Sequence, residues 1–359
     1  MTRISRYLFR NLLVATILST SALTLTIWIT QSLRMIEFVI NAGAPFLVFL
    51  YLMALSVPTF LGVVMPIALV GALLFTYNRF SADSELVVMR AVGLGSWRLS
   101  YPALTLAFMV MSAVLILNLY VSPYANRELV RMQYAVKHEY ASVLIREGAF
   151  NNISDKLTVY LRSRNDKGEM QGLLVHDIRL PGKAVTIMAE RGLMVDTEGG
   201  VRMAMINGLR QELTLATGRL SELYFESYVL EFQLFDDKSS DRWPDARERS
   251  LAELINPPNE VKRNPDMLRQ FAAEMHTRFS TPLLVIAYTM ISLASLLCGE
   301  HNRRGQGMRL IVAIGLVIVM QSLSIGLSGV ANKTSLAIPA LYLFNTLPIL
   351  PAGWMLSRR

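Results

Sequence analysis

Six long apolar runs, none holding an Asp, Glu, Lys or Arg, set the plan of the chain: Asn11–Leu33, Ala44–Asn78, Leu99–Asn126, Phe279–Gly299, Leu310–Asn332 and Thr334–Ser357. A helix needs about 20 such residues to cross the hydrocarbon of a bilayer. Each run therefore predicts a transmembrane helix, three before a polar middle and three after it. The second run is too long for a simple crossing: at the α-helical rise it would reach roughly 50 Å against about 30 Å of hydrocarbon. It contains Pro45, Pro58 and Pro66, which bend a membrane helix. A tilted, kinked helix whose first part projects beyond the bilayer is expected there.

The middle of the chain changes period. Leu157–Ser163 alternates apolar and polar residues, and Gly172–Leu180, Ala184–Glu190, Val201–Ile206, Glu212–Ala216 and Leu220–Phe232 are further strand candidates. Turns are expected at Asn165–Gly168, Thr197–Gly200, Asn207-Gly208 and Thr217-Gly218. Short strands with Gly-containing turns at this spacing suggest an all-β sandwich or roll. The charged stretch Asp236–Arg249, with Pro244, reads as a linker, and Ser250–Leu254 and Pro265–Met275 as helical pieces leading back to the membrane. The predicted organisation is residues 1–136 for spans one to three, 137–249 for the β-domain, and 250–359 for a linker helix and spans four to six.

Composition agrees with this division. Hydrophobic residues make up 53% of the 359 and charged residues 17%, below the quarter or so usual in soluble domains. The net charge of +8 is explained by basic residues at the ends of apolar runs. Eleven arginines (3, 6, 10, 79, 90, 98, 303, 304, 309, 358 and 359) fall on one side of the predicted spans, and only Arg34 and Lys333 in the short loops on the other. The positive-inside rule then places both termini in the cytoplasm and the β-domain outside it. The first run is too long for a signal-peptide core and lacks a small-residue cleavage site, so it reads as an uncleaved span. Cys298 is the single cysteine, which excludes an intramolecular disulfide. Nothing resembles an RNA-binding aromatic signature or a zinc-finger spacing, so nucleic acid is set aside.

The segment Arg79–Gly93 lies between spans two and three on the basic side. Ser81 can cap a helix start, Asp83 and Glu85 suit its positive end, and Gly93 can close it. A short helix over about 81–92 follows, with Leu86 and Met89 on one face and Asp83, Glu85 and Arg90 on another. Two placements fit: an interfacial helix lying on the membrane, or a coupling helix docked into a cytoplasmic ATPase.

Ser84-Glu-Leu-Val-Val-Met-Arg-Ala-Val-Gly93 resembles the signature of the LptF/LptG (YjgP/YjgQ) permease family. Arg6-Tyr-Leu-Phe-Arg10, the Pro58/Pro66 pair, Ser122-Pro123 ending span three, the Arg278–Pro282 entry to span four and Arg303-Arg-Gly305 fit the same family in order and spacing. Gln31-Ser-Leu-Arg34 and Phe75-Thr-Tyr-Asn-Arg79 look more like its LptF branch. The resemblance implies a six-span inner-membrane permease with an inserted periplasmic β-jellyroll. It also implies an ABC transporter extracting lipopolysaccharide, with an LptG-like subunit, an LptB-like ATPase dimer and an LptC-like jellyroll as partners. It makes Glu85 the coupling carboxylate, with Ser84, Leu86, Met89 and Arg90 beside it. Arg34 and Arg127, with Arg131 close by, are placed where lipid phosphates would be, and a guanidinium grips phosphate bidentately. Ordinary anchoring at a span end is the competing account of those arginines.

Enzyme readings find no support. No Walker A sequence occurs, because Pro181-Gly-Lys183 lacks the upstream glycine, so no ATP site is expected. His138, His176, His276 and His301 have no metal spacing, and no cofactor is expected. Charged residues inside the spans, which would mark an ion-driven carrier, are absent. Two rivals remain: a lipoprotein-releasing permease, which would have four spans, and a membrane sensor or scaffold, which would have no ATPase.

Overall fold

The computed structural model describes residues 3–42, 44–139, 147–154, 156–165, 169–179, 182–197, 200–214, 217–231, 244–298 and 306–358. The turn residues 166–168, most of the expected 236–249 linker, His301, Arg303, Arg304 and Arg359 lie outside them. The chain divides into two compact units. One comprises Met1–Leu33, Leu52–Val130 and Pro244–Arg359, the other Arg34–Tyr51 and Arg131–Trp243.

The predicted spans are helical, but several run further than expected. α1 (Arg3–Ala42) has 40 residues and continues past Arg34 instead of ending there. α2 (Phe46–Ala82) passes through Pro58 and Pro66 as one helix. After α3 (Glu85–Ala91), α4 (Ser96–Ile116) continues through a π turn at Leu117–Val121 directly into α5 (Ser122–Glu139). Ser122-Pro123 therefore does not end this span. A proline lacks an N–H and its ring presses on the carbonyl four residues back; the wider π turn immediately before Pro123 accommodates both effects, and the helix goes on.

On the return side come α6 (Leu251–Ile255), α7 (Asn259–Arg263), α8 (Pro265–Ser280), α9 (Leu283–Leu297), α10 (Gln306–Ala331), α11 (Ala337–Thr346) and α12 (Ile349–Ser357). α8 and α9 bend by 41° at Thr281-Pro282. The Ser280 carbonyl at this bend is bonded by Asn345 Nδ2 at 3.2 Å, and Asn345 Oδ1 accepts from Ser324 Oγ at 3.2 Å. All three residues are buried, so α11 and α10 satisfy polar groups that the bend exposes. The sixth run is helical but interrupted at Leu347-Pro348. Among the described residues, four helices are long and apolar enough to cross a membrane, and five if the bent pair counts as one.

The helical core draws on both halves of the sequence. Leu8 and Leu12 of α1, Leu69, Leu73 and Tyr77 of α2, Leu99, Leu106, Val110 and Val114 of α4, Leu293 and Leu297 of α9 and Leu356 of α12 share one buried cluster. Tyr77 Oη donates to the Leu99 carbonyl at 2.7 Å, fixing the end of α2 against the start of α4.

The second unit carries a six-stranded antiparallel meander in the order β1-β2-β3-β4-β5-β6. Its strands are β1 (Ala149–Ser154), β2 (Leu157–Arg164), β3 (Met170–Asp177), β4 (Lys183–Thr197), β5 (Gly200–Thr214) and β6 (Arg219–Glu231). Alternation sends Leu157, Val159 and Leu161, then Val185, Ile187 and Ala189, to one buried face. The expected turn at Asn207-Gly208 is instead a kink inside β5. Asn207 takes φ 54°, yet Ile206 pairs Arg191 and Gly208 pairs Ala189 in one continuous register. Gly208 is required there, because a Cβ would lie 2.3 Å from the Met188 carbonyl oxygen and 2.4 Å from the Phe225 ring. Gly208→Ala is expected to lower β-unit stability by about 1–3 kcal/mol, visible as faster proteolysis between residues 147 and 231 in the detergent-purified chain. Cleavage at the native rate would contradict this packing.

Candidate functional site

The turn between α2 and α4 is built from the outside in. α2 continues through Ala82, so Ser81 belongs to its last turn and does not cap α3. The chain reverses at Ser84, whose φ of 61° is left-handed, a strained value for a residue with a Cβ. At the far end Gly93, φ 85°, donates to the Arg90 carbonyl at 2.9 Å while Leu94 N donates to Met89 O at 3.2 Å. This pair of bonds closes a helix only when its terminal residue accepts positive φ.

The faces of α3 are unequal. Leu86 and Met89 are buried in the main helical core beside Leu99, Leu293 and Leu297, which takes them off the docking face expected for them. Val87 is 44% exposed, and the outward surface is led by Val88 and Val92, 63% and 73% exposed, with Glu85 partly exposed on the same helical face. These valines were missed by sequence reasoning, although the helical period of Leu86 and Met89 marks the opposite side. Arg90 is exposed, yet its Nη2 reaches across to donate to the Leu297 carbonyl at 2.6 Å. Asp83 is paired with Arg79 at 3.6 Å in an exposed contact.

The arginines expected at lipid phosphates lie on two helices. Arg34 is exposed on α1. Arg127 and Arg131 are one turn apart on α5, both exposed. Arg127 Nη1 lies 3.7 Å from Glu253 of α6, a partner not anticipated from sequence.

Arg278 of α8, noted in the sequence only as part of a motif, is 5% exposed. Its guanidinium donates to Glu274 Oε1 at 2.9 Å and to the carbonyls of Arg249, Ala246 and Arg247 at 2.9, 3.0 and 3.2 Å. The residues that follow the β-sheet in sequence are thereby fastened to the last turn of α8, beside its bend into α9. Among the described residues no group of three His, Cys, Asp or Glu is placed to hold a metal.

Residues 6–359 match the family described as "Lipopolysaccharide export system permease LptF/LptG". The chain is 26% identical over 351 residues to the uncharacterized protein RP871 of Rickettsia prowazekii (strain Madrid E), covering 97% of this chain and 96% of that one. It is 23% identical over 214 residues to the lipopolysaccharide export system permease protein LptF of Escherichia coli (strain K12), covering 59% and 58% of the two chains.

Proposed function

The chain belongs to the LptF/LptG family of lipopolysaccharide export permeases, and from that premise we propose that it is one permease half of an ATP-driven lipid extractor. It pairs with an LptG-like subunit and sits on an LptB-like ATPase dimer. It draws lipopolysaccharide from the inner membrane and passes it along its β-sheet unit to an LptC-like jellyroll. With the interrupted α11–α12 run counted as a sixth crossing, both termini and α3 lie in the cytoplasm and the β-unit, residues 137–249, in the periplasm, in keeping with the arginine bias.

The observation that carries this reading is the outward face of α3. Exposed Val88 and Val92 beside a carboxylate, on a segment anchored by buried Leu86 and Met89, suit a partner's groove better than water or anionic headgroups. The arginines suit the substrate end. The Arg127–Glu253 pair is long and solvent-exposed, 59% and 32% for the two side chains. Such a pair contributes about 0–1 kcal/mol, so a phosphate group can take Glu253's place on the guanidinium.

Purifying the tagged chain from its native membrane is the test. The expected result is a complex holding an ATPase, a second permease and lipopolysaccharide. Val88→Asp is expected to lose most of the ATPase and keep the second permease. Acylated protein in place of lipopolysaccharide would assign the chain to lipoprotein release, and no ATPase at all would make it a scaffold.

A further inference from the structure

We infer that Arg90 is a positioning residue that fastens α3 to the carboxyl end of α9, so that α9 moves with the coupling helix. This rests on the reading of α3 as the ATPase-docking helix, and assigns one of its residues a different partner from the ATPase. Arg90 and Leu297 are 207 positions apart in sequence, yet the guanidinium reaches the Leu297 carbonyl at 2.6 Å.

Leu297 is the last residue of α9. The final carbonyls of a helix have no partner within it, and the helix dipole makes that end negative. An arginine there satisfies an acceptor and opposes the dipole together, a charge-assisted bond stronger than a neutral one. Apolar contact reinforces it, since Leu86 and Met89 join the cluster that holds Leu293 and Leu297. On the α3 wheel Arg90 follows Leu86 by four residues, so grip and charge act from the same face.

At the other end of α9, next to the bend, Arg278 in the last turn of α8 donates to the carbonyls of Ala246, Arg247 and Arg249. A push on Val88 and Glu85 is thus received by α3, transferred to α9 through Arg90, and carried along α9 to the bend, where Arg278 holds the segment that follows the β-sheet in sequence. A helix held only by Leu86 and Met89 can roll about its axis. The Arg90 bond opposes that roll.

The test uses the full complex in proteoliposomes and compares the native chain with Arg90→Met and Arg90→Lys. ATPase co-purification, ATP hydrolysis and lipopolysaccharide released per ATP are measured separately. Arg90→Met is expected to keep the ATPase and its hydrolysis while release per ATP falls about fivefold or more. Arg90→Lys, with its charge but no planar fork, recovers part of the loss.

Arg90→Cys supplies a second readout should Arg90→Met accumulate poorly. Cys298 is the single native cysteine and follows Leu297, so a short bis-methanethiosulfonate, which loses a sulfinate at each thiol it captures, can join position 90 to the end of α9. Bridging is expected to restore release per ATP. Unchanged release per ATP in Arg90→Met, or a bridged chain as uncoupled as the unbridged one, overturns the proposal. So does loss of the ATPase from Arg90→Met, which would make Arg90 a docking contact. If the native chain, with Arg90 in place, brings down no ATPase, the docking reading itself has failed and the proposal falls with it; the native arm distinguishes this failure from the others.

Discussion

Glu85→Lys is expected to cut ATP-driven lipopolysaccharide release at least about tenfold while the chain stays in its membrane and keeps its permease partner. Glu85 opens α3 and is partly exposed beside Val88, whereas the residues that hold α3 in place, Leu86 and Met89, face the core. Reversing its charge therefore leaves the packing of α3 intact. At an interface, a like charge facing a like charge costs several kcal/mol, and each 1.4 kcal/mol or so is a factor of ten. The new lysine also sits at the positive end of the helix, where a cation is disfavoured. Release per ATP in proteoliposomes and ATPase recovery on co-purification check the two halves of this expectation. Native values for both would mean that no partner uses the carboxylate.

Arg278→Met is expected to be the most damaging single change to the fold of the membrane unit. The guanidinium is nearly inaccessible and donates to four acceptors, one of them the Glu274 carboxylate. Methionine fills much of the same volume but leaves that carboxylate and three carbonyls without their donor. Breaking a buried pair in this way costs about 3–5 kcal/mol. The expected readout is a lowered melting transition of the chain in detergent, with Arg278→Lys recovering less than half, because an ammonium cannot span acceptors arranged for a planar fork. A variant that melts with the native chain would contradict the clamp.

The large features of this fold were legible because each comes from a strong, local signal. Charge-free runs gave the membrane helices, and alternation in Leu157–Ser163 gave a strand. What was missed depends on contacts between distant segments. Ser122-Pro123 looked like a stop, but the π turn before it lets the helix continue. Asn207-Gly208 looked like a hairpin, but Phe225 of the neighbouring strand lies over a glycine that must stay inside β5. α3 was recognised, yet Leu86 and Met89, expected to meet the ATPase, are buried in a core cluster shared with residues of α2, α4 and α9 that are distant in sequence. The helical period alone puts Arg90 on the Leu86 side, and that clue was available in the sequence. The partners of Arg278 and Arg127 were not, since each is reached only when α8 and α6 return from beyond the β-sheet.

The central claim is that this chain turns ATP hydrolysis by a separate subunit into movement of lipopolysaccharide out of the membrane. The most direct measurement is the arrival of lipopolysaccharide on a soluble jellyroll acceptor. Proteoliposomes holding the complete complex are supplied with ATP and compared with the same vesicles carrying Glu85→Lys. The account predicts ATP-dependent transfer by the native chain and little by the variant. Transfer that proceeds equally without ATP, or equally with Glu85→Lys, would contradict it.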